Sequence, residues 1–430
     1  MRLCVVTALA LCAEGGASWC TDWAGATSIP ITPLRADANL APFDEEVTAF
    51  MAARGIPGGA LAVTRGGKLV LASGYGWADE EGRRPVEPGS LFRIASVSKP
   101  ITAVAVFHLL EETGLTLEAR AVDLIRPTIG GVGLGDERLA QVTLRHLLQH
   151  TAGWDRAISG DPMFECQRIA EAQGVPCPPG PRDIVRYTLG RPLDFAPGER
   201  STYSNFGYCV LGRVIEDVSG MPYEQYVQQR VLRPLGIVSM RIGRSLEQDA
   251  VPGEVRYYHP STGTSVFAQN LGTEVPAPYG SFCIESMDAH GGWIASAMDL
   301  VRFACALDDP EHCPVLSSPS VQTMFARPEG SAGYEDDGTP RDAFYACGWL
   351  VRPVGAEGKA NQWHNGLLAG TSTLLVRRFD GLDWVVLFNQ SADASGLSYG
   401  DIDPALHRAA ARVTDWPADD LFGRLSAPGG

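Results

Sequence analysis

The sequence predicts an α+β fold: one antiparallel sheet flanked by helices and built from both ends of the chain, with a mostly helical domain inserted between its halves. Three observations carry that prediction. Apolar residues alternate with period two near the start, at Leu61/Val63 and Leu69/Leu71, and again near the end, in GWLVRPV, STLLVRRFD and DWVVLFNQS. The dipeptides Gly66-Gly67 and Asp380-Gly381 join neighbouring runs as tight hairpins, which makes the pairing antiparallel. Between these ends, from about residue 120 to 280, helical spacing and long loops prevail.

Taken in order, residues 1–19 read as a secretory signal, with Arg2, an apolar run and then small residues, so a periplasmic or secreted location is expected. Residues 20–40, with Pro30 and Pro33, read as a linker. The sheet domain is expected over 41–125 and 285–425, and the helical insert over 126–284. Val47, Phe50 and Met51 space a helix over 44–54, ended by Gly55 and Pro57. Ser96 opens a second helix reaching about Thr113, with Pro100 confined to its first turn, where a missing N–H costs little. In the insert, QVTLRHLLQHTAGW reads as helical to Thr151, NFGYCVLGRVIEDVSG as a helix stopped by Gly220, and YEQYVQQRVLRPLG as one broken at Pro234. A helix WIASAMDLVRFACAL follows Gly291, and residues 404–413 form a closing helix.

The net charge is −15 and no Lys/Arg-rich run occurs, so nucleic acid and anionic membrane surfaces are poor partners. No apolar stretch approaches the roughly 20 residues of a membrane span. Ten cysteines fit an exported protein better than a cytosolic one. Cys166 and Cys177 flank one loop rich in Gly and Pro, and Cys305 and Cys313 flank LDDPEH; both pairs are candidate disulfides. His146 and His150 lie four apart, but no third ligand is in reach, so neither a metal nor any other cofactor is expected.

The sharpest signal is a shortage. Of 35 basic Lys and Arg residues only three are lysine: Lys68, Lys99 and Lys359. Arginine does not give up its proton, whereas a desolvated ammonium does. Lys99 lies in FRIASVSKP, three residues after Ser96, so the amine and the hydroxyl share one helix face. A serine needs such a partner to become a nucleophile. Tyr203 in Tyr203-Ser204-Asn205 is placed to share the proton, and Asn205 to hold a substrate carbonyl or the lysine. His364-Asn365-Gly366 precedes a strand, and its glycine lets backbone approach a substrate closely. The main-chain N–H groups of Ser96 and Leu367 then form a candidate oxyanion hole. A competing serine, Ser398 in Gly396-Leu397-Ser398-Tyr399-Gly400, matches a nucleophile elbow. That reading fails because the acid and histidine must come later on further strands, and only His407 follows.

Together, in this order and spacing, the three motifs resemble the serine β-lactamase/penicillin-binding-protein superfamily, closest to its class C-like branch of family VIII carboxylesterases, DD-peptidases and D-aminopeptidases. The resemblance spans about residues 44–415, including PVEPGSLFRIASVSKPITA, VTLRHLLQHTAGW and HGGWIASAMDLVRFA. It implies Ser96 as the acylated nucleophile, Lys99 and Tyr203 as its proton-handling partners, Asn205 as a substrate contact, and a binding strand carrying His364, Asn365 and Gly366. The third motif departs from the Lys-Thr-Gly usual in β-lactamases, which removes a cation for a lactam carboxylate unless a protonated His364 or a nearby arginine replaces it. The expected activity is therefore hydrolysis of a small ester or short peptide through an acyl-enzyme, a carboxylesterase first. DD-carboxypeptidase, D-aminopeptidase or weak β-lactamase action comes behind it, and a penicillin-binding or sensing role is the non-enzymatic alternative.

Overall fold

The structure is a computed structural model that describes residues 29–35, 38–355 and 358–425; the predicted signal at 1–19 lies outside the described residues. Eight strands form the main sheet: β1 (Ile31–Arg35), β2 (Gly58–Arg65), β3 (Lys68–Asp79), β4 (Phe344–Tyr345), β5 (Leu350–Pro353), β6 (Ala360–Leu368), β7 (Thr371–Arg377) and β8 (Leu382–Phe388). Their order is β1-β3-β2-β8-β7-β6-β5-β4, antiparallel throughout, and a short strand, Arg84–Pro85, pairs off β3. The two ends of the chain meet at β2 and β8, with Val63 opposite Trp384. Residues 31–35, read from sequence as linker, are instead the edge strand, with Ile31 opposite Tyr75.

Both faces of the sheet are covered, and the pleat sorts its side chains between them. Leu61, Val63, Trp384, Val386 and Phe388 face α1 (Ala41–Arg54) and α5 (Ile402–Arg412). Ala60, Ala62, Val385 and Leu387 face the other way, onto α2 (Ser98–Thr113) and α4 (Ala297–Cys305). The small alanines let α4 lie close against β2. Helix α2 is apolar on nearly every side, which suits a helix buried between the sheet and the insert. That position buries Lys99 completely.

The predicted helix through Thr151 runs only from Leu144 to Leu148. His150 adopts φ +60° and turns the chain away, and its carbonyl accepts the Thr202 N–H at 2.8 Å. After Gly291 the segment Trp293–Ala295 is a strand between Phe92–Arg93 and Arg241–Ile242, and the helix starts only at Ala297, where the Ser296 hydroxyl caps Asp299 N–H. The insert's α3 (Asn205–Ser219) ends at Gly220 as predicted. Neither predicted disulfide is formed: Cys166 and Cys177 are free thiols that share a small apolar cluster with Val266 and Cys283, and the Cys305 thiol turns back to the Arg302 carbonyl at 3.5 Å.

Candidate active site

Ser96 does not open the helix; it sits in the 3-10 turn Ala95–Val97 immediately before α2. That turn is pinned by three hydrogen bonds from two strands. Ile94 N–H donates to the Trp293 carbonyl at 3.0 Å, Thr373 Oγ1 donates to the Ile94 carbonyl at 2.9 Å, and Thr371 Oγ1 to the Arg93 carbonyl at 2.7 Å. Ala95, just before the serine, is held at φ +48°, a left-handed conformation an L residue adopts only under such constraint.

Lys99 Nζ lies 3.1 Å from Ser96 Oγ, 2.8 Å from Asn205 Oδ1 and 2.9 Å from the His290 carbonyl. Burial pushes its proton affinity well below the ordinary lysine value; Asp161 pulls it back up and Arg156 pushes it further down. The Tyr203 hydroxyl donates to Ser96 Oγ at 2.8 Å. Burial moves this phenol the opposite way, well above its ordinary value. The same dry environment thus shifts the amine toward its neutral form and the phenol toward its protonated one. Tyr203 is placed by the cap of α3, where Ser204 Oγ accepts the Gly207 N–H at 3.2 Å. Its ring packs on that of His150, centroids 4.4 Å apart.

His364, Asn365 and Gly366 lie within β6, not before it. A Cβ on Gly366 would stand 2.3 Å from the Ile94 carbonyl oxygen and 3.1 Å from Ala95 Cβ, so only glycine lets the strand lie against the serine turn. This apposition brings Leu367 to the Ser96 cavity. The pleat sends Asn365 and Leu367 side chains to the face opposite His364, where they also border a second cavity. His364 Nδ1 donates to the Asn365 carbonyl at 2.7 Å, which leaves Nε2 to accept from the Tyr345 hydroxyl at 3.0 Å. Burial lowers its pKa to about 3. His364 is neutral, so it does not supply the cation missing from the third motif.

The cavity over Ser96 measures about 490 Å³ and is bordered by Arg156, Phe164, Met287, Leu350 and Leu368 besides the residues above. Several contributors escaped the sequence reading. Asp161 accepts from Asn205 Nδ2 at 2.7 Å, and Tyr345, His290 and Arg156 come from separate loops and strands. No local motif marks Asp161 or Tyr345; HTAGW, which holds His150 and lies close before Arg156, and HGGW, which begins with His290, were visible as segments without a role for either histidine. His146 and His150 do not pair: Thr143 N–H donates to His146 Nδ1 at 3.2 Å, while His150 takes part in the tyrosine stack. Among the described residues no group of three His, Cys, Asp or Glu side chains is arranged for a metal ion. Ser398 Oγ accepts the Gly400 N–H at 3.0 Å and borders the other cavity, on the α1/α5 side of the sheet, away from Ser96.

A discontinuous antiparallel sheet, a buried serine–lysine turn and a facing helical insert define the class of serine β-lactamases and penicillin-binding proteins, which are serine hydrolases. The chain belongs to the Beta-lactamase family, which it matches over residues 43–406. It is similar to penicillin-binding protein 4* of Bacillus subtilis (strain 168), at 27% identity over 368 residues, 84% of this chain and 74% of that one. It is also similar to esterase EstB of Burkholderia gladioli, at 34% identity over 236 residues, 53% of this chain and 56% of that one. The fold resembles that of the D-amino acid amidase from Ochrobactrum anthropi SV3, with TM-score 0.63, 21% identity and coverage of 87% and 97% of the two chains.

Proposed function

We propose that the protein is a carboxylesterase that works through an acyl-enzyme on Ser96. The observation that carries this is the pair Ser96 Oγ and Lys99 Nζ, 3.1 Å apart, with the amine fully buried. As Ser96 Oγ bonds to the substrate carbonyl carbon, its proton passes to Lys99 Nζ. The backbone N–H groups of Ser96 and Leu367 take the oxyanion. Collapse expels the leaving alcohol, which receives a proton from the Lys99/Tyr203 pair. Water then attacks the acyl carbon and gives its proton back along the same route, restoring the serine.

Ester over lactam or peptide is favoured by the neutral His364, which leaves the binding strand without a cation, and by the apolar border of Phe164, Met287, Leu350 and Leu368. Similarity to esterase EstB agrees with it. A second reading, cleavage of a short peptide or amide, rests on Arg156, whose exposed guanidinium stands 5.5 Å from the Tyr203 ring at the cavity and is free to meet a carboxylate. A short-chain p-nitrophenyl ester, nitrocefin and a D-Ala-D-Ala peptide assayed side by side decide between them. Rapid ester turnover without peptide release is expected. Release of D-alanine at the faster rate establishes the second reading, and an acyl adduct found on any residue other than Ser96 overturns both. Stable penicillin labelling with no turnover on all three identifies a binder.

A further inference from the structure

We infer that Asp161 is a positioning residue of this site: its carboxylate holds the Asn205 amide with the oxygen turned toward Lys99 and places a negative charge behind that contact. The inference rests on the Ser96–Lys99 reading above and adds a residue from the insert that none of the three motifs contains.

An asparagine amide presents nearly identical shapes in its two flipped orientations, and its neighbours choose between them. Here one side of Asn205 is Lys99 Nζ at 2.8 Å and the other is Asp161 Oδ2 at 2.7 Å. A carboxylate only accepts, so it takes the NH₂ and leaves the oxygen for the amine. The flipped amide would set two donors against each other at the lysine and two acceptors at the aspartate. Asn205 is about nine-tenths buried, so water does not rescue that arrangement. Asp161 is itself fixed, because its Oδ1 accepts the Met163 N–H at 3.1 Å.

The charges around the amine make the same point. The titratable groups facing Lys99 are Tyr203 and Tyr208, whose rings lie 4.7 and 5.6 Å from Nζ, together with His150, His290, His364, Arg156 and Asp161. Burial holds the two phenols and three imidazoles neutral. Among the described residues this leaves Asp161 and Arg156 as the formal charges acting on the amine, with opposite signs. Asp161 offsets part of the basicity that burial and Arg156 take from Lys99.

The test is the pH profile of kcat/KM for D161N, measured on the p-nitrophenyl ester with thermal unfolding run in parallel. Asparagine retains an acceptor for the Asn205 amide and removes the charge. The acidic limb, which follows loss of the Lys99 proton, is expected to move to lower pH by about half a unit or more. A residue with only a structural role changes the melting temperature or the plateau rate and leaves that limb in place, so an unmoved limb in folded D161N overturns the inference. If D161N does not fold, D161S, which also removes the charge and keeps an oxygen acceptor, is read by the same criterion: a limb displaced to lower pH supports the role and an unmoved limb overturns it. Mass spectrometry of the acyl adduct separates the two levels. An adduct on Ser96 with an unmoved limb sinks only the role of Asp161, whereas an adduct elsewhere sinks the mechanism beneath it.

Discussion

Replacing Lys99 by arginine keeps a cation beneath Ser96 and removes a proton that can leave. The wild-type amine touches three acceptors within 3.1 Å and is fully buried. Burial is the largest influence on it and favours the neutral form, the one that the proposed mechanism needs to take the serine proton. A guanidinium stays charged at any working pH, so the Ser96 hydroxyl faces donors only. General-base catalysis is worth roughly 10²–10⁴ in rate, and the planar group must also fit where an ammonium sat. We therefore expect K99R to lower kcat by about 10³-fold or more, near 4 kcal/mol at 1.36 kcal/mol per decade, close to the loss in Ser96→Ala. The assay is steady-state hydrolysis of a short p-nitrophenyl ester, beside thermal unfolding to show that the variant folds. Wild-type activity should rise with pH through the depressed Lys99 value and then level off, because the deprotonated amine is the active form. K99R retaining more than about a tenth of wild-type kcat would refute the reasoning: the site would then need charge, not a proton acceptor.

Four further outcomes follow from the same geometry. Tyr203→Phe removes the hydrogen bond to Ser96 Oγ at 2.8 Å and should cost about 10²–10⁴ in kcat, while slow acylation of Ser96 remains detectable by mass spectrometry. Gly366→Ala drives a methyl into the Ile94 carbonyl and should lower kcat about 10²-fold or more by pushing Leu367 N–H from the oxyanion position; equal rates would remove that strand from the mechanism. Ser398→Ala should leave ester turnover within about twofold of wild type, since its hydroxyl only caps a turn. Asp383 is buried beside Asp308, whose Oδ1 accepts from Arg377 Nη2 at 2.9 Å, and burial and the neighbouring carboxylate raise its pKa well above the usual range. A raised carboxyl favours the folded state below its unfolded value and loses that advantage as pH climbs toward the folded one. Asp383→Asn should therefore unfold at a higher temperature than wild type at pH 8, by a margin that shrinks toward pH 4; a margin independent of pH would contradict the assignment.

The hairpins at Gly66-Gly67 and Asp380-Gly381, the capped α3 and the Ser96/Lys99 spacing were all legible, because each is a short-range property of backbone preference or helical repeat. Two of the misreadings share one cause. His150 leaves the helix its neighbours favour because its ring is recruited into a stack with Tyr203 and Tyr345, and a ring contact so remote in sequence leaves no periodic trace. WIASAM reads as helix by composition, yet Trp293–Ala295 pairs with two distant strands, where tertiary hydrogen bonds outweigh local propensity. Residues 31–35 look like linker because an edge strand with one mixed face carries little alternation.

By itself the sequence singled out the candidate residues: a lysine one helical turn from a serine, a tyrosine–asparagine pair at a helix start, and a glycine that lets a strand close on them. Only the tertiary structure decided their protonation states and partners. The phenol and the imidazole of His364 are neutral, and the amine is pushed toward its neutral form, because one buried space desolvates all three; Asp161 reaches Asn205 only because the insert folds its loop over the N-terminal end of α3. Residue identity is written along the chain, but dielectric surroundings and neighbouring charges are properties of the packed volume, and those set where each proton sits.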